Sequence, residues 1–141
     1  DLSAPAAYRF RVDFRWLGAH GKVLSSATKT SGTCLQPELR PDLLVQSLTA
    51  QPVAGHPKLD DYVAKIRNAG ATGAGPFDVE FTDGTKVTSA VVKRLGAHAT
   101  RKLQFVGPVC DPTASPSLTI DPQSQVDDFN RANNTATAVC T

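Results

Sequence analysis

Methionine is missing altogether, tryptophan occurs once, and the aromatics make up only 6% of the 141 residues. No apolar run approaches the roughly 20 residues that a membrane-spanning helix needs, and no charged-then-apolar leader opens the chain, so membrane insertion is not expected. Neither sign of charge is in excess: 15 Lys and Arg stand against 13 Asp and Glu, a formal net charge of +2. A phosphate backbone selects concentrated positive charge, so nucleic acid is not an expected partner. A chain that starts at Asp1 and lacks Met reads as a processed product or as a portion of something longer.

Cysteine is also sparse. Cys34, Cys110 and Cys140 lie far apart, without the close pairing of metal or redox centres. Widely spaced cysteines in a small chain with 10 Gly and 10 Pro favour a structural disulfide in an oxidising compartment. The protein is therefore expected to be secreted or at the cell surface.

What is abundant is alternation. In Tyr8-Arg9-Phe10-Arg11-Val12-Asp13-Phe14-Arg15-Trp16 every odd position is charged and every even one is large and apolar, the period of a strand with one greasy face. Leu17-Gly18-Ala19-His20-Gly21 supplies turn residues and Lys22 to Thr30 resumes a weaker strand, giving an N-terminal β-hairpin. Gly32, Pro37 and Pro41 mark a linker over 31–41, which divides a hairpin extension at 1–36 from a sandwich at 37–141. Seven short runs follow at 43–50, 60–68, 76–82, 85–92, 100–107, 116–121 and 134–140, spaced as in a β-sandwich. Asp83-Gly84 joins the third and fourth as a tight two-residue hairpin turn. The fold class is all-β.

Four of these segments resemble a known family: Arg40-Pro41-Asp42-Leu43-Leu44-Val45; Asn68-Ala69-Gly70 with Ala74-Gly75-Pro76-Phe77; Asp83-Gly84; and Ile120-Asp121-Pro122 with Val126-Asp127-Asp128-Phe129-Asn130-Arg131-Ala132-Asn133-Asn134. Their order and spacing are similar to the CARDB domain, the cell-adhesion-related domain found in bacteria, from Arg40 to Cys140. The resemblance implies an immunoglobulin-like antiparallel sandwich of seven strands, found in exported bacterial and archaeal proteins and often repeated, with no catalytic residues to carry over. This chain departs from the family in its final loop, where members usually carry acidic residues and it has Asp127, Phe129-Asn130 and Arg131. The hairpin lies outside the resemblance and is like the closing strands of a neighbouring sandwich.

Strand parity puts Cys110 and Cys140 at one pole of such a sandwich, where they form the expected disulfide. Closing a loop of about 30 residues stabilises by about 3–4 kcal/mol in the chain-entropy model. The alternative, with Cys34 reaching one of them through the linker, stays open. An unpaired Cys34 would be a buried thiol, the partner of a cysteine in another chain, or an intermolecular cross-link. Tyr8, Phe10, Val12, Phe14 and Trp16 form an apolar face that calls for cover. Either it pairs with another subunit or domain by strand addition, or it packs on its own sandwich.

Catalysis has no candidate: no serine has hydrolase surroundings and no glycine loop leads into a helix. His20, His56 and His98 fall in predicted turns without a second ligand, so neither metal nor cofactor is expected. The loop 121–130, from Asp121 to Asn130, has the oxygens of a calcium site but not the spacing of one; Val126 and Phe129 are expected to anchor it to the core. Arg9, Arg11 and Arg15 read as a solvated face, or more sharply as a polyanion stripe. The expected function is a non-catalytic structural or adhesive module that pairs with protein, self-association into a surface polymer or filament included. The other readings are a carbohydrate-binding module, disfavoured because the only Trp sits in the first strand, and an accessory spacer of a larger secreted enzyme.

Overall fold

Period-two alternation buries every second side chain when a sheet has one wet face, and the inner strands of the larger unit follow it. The computed structural model describes residues 4–140, in two units, Asp1–Glu38 and Leu39–Thr141. The first holds β1 (Ala6–Tyr8), β2 (Arg11–Leu17), β3 (Val23–Thr30) and β4 (Cys34–Gln36). Its two antiparallel ribbons are β1–β4 and β2–β3.

The single strand expected from Tyr8 to Trp16 is split in two. Phe10 N–H donates to Ser31 Oγ at 2.9 Å, so a side-chain oxygen takes the place of a ladder acceptor at the break, and Arg9 Nε donates to Thr33 Oγ1 at 2.9 Å beside it. The expected linker over 31–41 also contributes a strand, β4, which pairs Cys34 with Tyr8 and Gln36 with Ala6. Pro37, which cannot donate to a ladder, follows its last residue directly.

The second unit is an immunoglobulin-like sandwich. Its strands are β5 (Leu43–Val53), β6 (His56–Asn68), β7 (Phe77–Thr82), β8 (Val87–Val92), β9 (Thr100–Pro108), β10 (Ser117–Ile120) and β11 (Thr135–Thr137). One sheet has the order β5-β6-β9 and the other β11-β10-β7-β8. All seven predicted runs are strands, with two corrections. The turn after β7 has four residues, because Asp83 Oδ1 accepts from Thr85 N–H, Thr85 Oγ1 and Lys86 N–H, each at 2.8 Å, and closes an Asx-type turn. These bonds hold the Asp83 carboxyl below the usual carboxylate range. The last run is shorter than 134–140, because Val139 leaves β11 and bridges to Thr49 of the other sheet, its N–H donating to Leu48 O at 3.0 Å.

Buried residues alternate along the inner faces: Tyr62, Ala64 and Ile66 on β6, Phe77, Val79 and Phe81 on β7, Leu118 and Ile120 on β10. The sheets meet on three rings. Tyr62 and Phe81 have centroids 4.6 Å apart, and Phe81 and Phe105 5.2 Å, inside the range where aromatic pairs add to their area burial. At one pole Asn68, fully buried, uses both ends of its amide: Oδ1 accepts from Asp42 and Gly70 N–H, and Nδ2 donates to Thr72 and Leu95 O. Gly70 is required there, since a Cβ would lie 2.4 Å from Arg40 O.

Phe81→Ala is expected to lower unfolding free energy by about 3–5 kcal/mol, measured by urea denaturation. A loss under about 1 kcal/mol would mean that the ring does not hold the sheets together.

Candidate functional site

On β2 and β3 the register sets Val12 opposite Lys29, Phe14 opposite Ala27 and Trp16 opposite Ser25. Val12, Phe14 and Trp16 therefore share one face of the ribbon, Phe10 stands just before β2, and the residues at 10, 12, 14 and 16 are 64%, 50%, 47% and 53% exposed. The Phe14 and Trp16 rings stack with centroids 6.3 Å apart. On the opposite face Asp13 Oδ1 accepts from Arg11 Nε at 3.2 Å and from Thr28 Oγ1. Tyr8 stands apart from the row: it is half-buried on β1, in the other ribbon, opposite Cys34. Cys34 is a free, exposed thiol.

In the sandwich, Cys110 and Cys140 form a disulfide with Cα atoms 5.4 Å apart, closing a separation of 30 residues. The segment that carries Cys110 is seated by Asp60, a buried residue whose Oδ2 accepts from Cys110 N–H at 2.8 Å. Next to it on β6, Tyr62 donates its hydroxyl to Pro108 O at 2.9 Å. Burial raises the Tyr62 pKa, and the negative charges of Asp60 and Asp83 add to this.

At the other pole lies the acidic loop. Asp121, buried and with φ of 50°, accepts from Gln125 N–H at 2.7 Å and Val126 N–H at 3.0 Å, and pairs with Arg131 at 3.2 Å. Asp128 Oδ1 accepts from Leu43 N–H and Asn130 N–H, each at 3.2 Å, and Asn133 Nδ2 donates to Asp42 at 3.0 Å. Asp121 and Asp128 Oδ1 thus serve backbone amides, the ordinary work of Asp in turns, while the buried Asp128 Oδ2, Asn133 Oδ1 and Asn134 Oδ1 have no hydrogen-bond partner among the described residues. Val126 is buried as expected, but Phe129 is 52% exposed and does not anchor the loop to the core. Its ring lies under Arg40, whose guanidinium is 5.5 Å from the centroid, and a cation–π contact holds it at the surface.

Among the described residues no three His, Cys, Asp or Glu side chains come together as a metal set. His20 and His98 occupy left-handed backbone positions, φ of 56° and 60°, in turns.

The comparisons identify this immunoglobulin-like sandwich with its disulfide-stapled pole and its loop-closed pole. The CARDB family model matches residues 40–138, and the chain belongs to that family. A CARDB domain from Pyrococcus furiosus, solved in complex with di-metal ions, is similar with a TM-score of 0.56 and 27% identity, covering 71% of this chain and 90% of that one. A solution structure of a candidate cell surface protein domain from Methanosarcina acetivorans gives 0.58 and 29%, again over 71% of this chain and 90% of that one. A solution structure of the Pyrococcus domain gives 0.55 and 27%, over 73% and 99%. No curated protein matches the sequence.

Two outcomes follow for the poles. Replacing Cys110 and Cys140 together by Ser is expected to lower stability by about 3–4 kcal/mol, read from denaturation midpoints with and without reductant; reductant should leave the double variant unchanged. Asp121→Ala strands two amides and Arg131, and is expected to cost about 1–3 kcal/mol. Arg131→Ala, at the rim, should cost less in the same urea titration.

Proposed function

We propose that this chain is a non-catalytic structural or adhesive module of an exported protein, acting outside the cell, and that it pairs with other protein through the N-terminal hairpin. The observation that carries this is the row Phe10, Val12, Phe14 and Trp16, all about half exposed or more. A two-stranded ribbon by itself is marginal in water, and burying each such side chain is worth about 1.5–3 kcal/mol. Covering the row with the same row of a second copy, or with a neighbouring domain, recovers that energy. The exposed Cys34 thiol can then join the partners covalently. Family membership supports a surface module, as does the Methanosarcina domain's description as part of a candidate cell surface protein. The internal disulfide suits an oxidising compartment.

The intact chain is expected to form a concentration-dependent oligomer in light scattering. Each of Phe14→Ser and Trp16→Ser should weaken it at least about tenfold, the equivalent of 1.4 kcal/mol, with an unchanged circular-dichroism spectrum. Mass spectrometry without reductant would report any Cys34 cross-link. A wild-type monomer at every concentration would sink self-association and leave a spacer of a larger exported protein as the better reading.

A further inference from the structure

Charge on the outer face of the β5-β6-β9 sheet is distributed unevenly. Tyr62, Ala64, Ile66 and Asn68 of β6 are buried, so Asp61, Val63, Lys65 and Arg67 point outward. On β9, Phe105 and Gly107 are buried, so Thr100, Lys102, Gln104 and Val106 do the same. The register sets Lys65 directly opposite Lys102 and Arg67 opposite Thr100. Directly opposed residues have Cβ atoms about 4.5–5.5 Å apart, and like charges there are destabilising. Arg67 adds a third positive charge about 7 Å along the same strand.

All three cations are exposed, and none is ion-paired or hydrogen-bonded to another described residue through its side chain. The carboxylate on this face, Asp61, is four residues from Lys65 and accepts from Gln104 Nε2 at 2.8 Å. Lysine on an edge strand commonly blocks edge-to-edge pairing, which accounts for Lys102 on β9. It does not account for Lys65 and Arg67, because β6 is the central strand, paired on both sides.

We infer that this face binds an anionic polysaccharide. The opposed cations are relieved of mutual repulsion by a polymer that brings regularly spaced anionic groups. Hydroxyls and amides surround them: Ser47, Thr49 and Gln51 of β5 lie opposite Lys65, Val63 and Asp61, and Thr100 and Gln104 complete a field suited to sugar hydroxyls. Single-stranded nucleic acid is held by aromatic platforms on which bases stack, and no aromatic side chain points outward on β5, β6 or β9. The surface belongs to the sandwich unit.

The test is calorimetry of the intact chain with polygalacturonate, with uncharged dextran and single-stranded DNA as comparators. Binding to polygalacturonate is expected to weaken with salt, and Lys65→Glu with Lys102→Glu should abolish it or lower the log–log salt slope by about two. The same charge change at Lys58→Glu with Lys86→Glu should leave it intact, with both variants folded by circular dichroism. No binding to polygalacturonate, equal loss in both variants, or tighter binding to DNA would each overturn the inference.

Discussion

Tyr62, Phe81 and Phe105 meet where the two sheets face each other, and much of one pole depends on that contact. The rings close to 4.6 and 5.2 Å beside Gly107, next on the inner face of β9, where a Cβ would lie a tight 3.1 Å from the Tyr62 ring. With the ring seated, the Tyr62 hydroxyl reaches Pro108 O and fixes the end of β9. Asp60, two residues back on the same inner face, then receives the Cys110 N–H and presents the thiol to Cys140. A hydrophobic contact, a buried carboxylate and a covalent bond thus form one sequence of dependence, in which each step limits the freedom of the next.

The opposite pole is closed by polar groups instead. Asp121, Asp128 and Asn68 each satisfy backbone donors that the turns leave without ladder partners. Buried donors of this kind are costly to strand, and Asp121 and Asp128 Oδ1 meet them, whereas the buried Asp128 Oδ2, Asn133 Oδ1 and Asn134 Oδ1 have no hydrogen-bond partner among the described residues. The Pyrococcus domain's di-metal ions are a property of that protein; in this chain the carboxylates at 121 and 128 hold amides and a guanidinium.

The sandwich is closed at one pole by a disulfide and at the other by polar loop contacts. Its outer sheet face concentrates cations on a central strand, and the hairpin ribbon presents apolar rings to solvent. The two surfaces differ in chemistry and call for different partners, one charged and hydroxyl-rich, one apolar.

Alternation made the strands of the sandwich readable, because a residue's side of the sheet is decided locally by the pleat. The same alternation exposed the apolar row of the hairpin as a candidate surface, and the family motifs lay in the loops where backbone turns need particular residues. Three features were not readable in this way. Ala6–Tyr8 and Cys34–Gln36 are three-residue strands, too short to show a period. The turn after Thr82 is set by how many donors Asp83 can gather, which the dipeptide Asp83-Gly84 does not reveal. Phe129 is apolar by composition but is kept at the surface by Arg40, 89 positions earlier in the chain. By itself, then, the amino-acid order determined the strands of the sandwich and which side of each turns inward. Only the tertiary structure decided which strand lies beside which, as when β7 leaves β6 to pair with β10, because a buried face specifies that it must be covered and not by what.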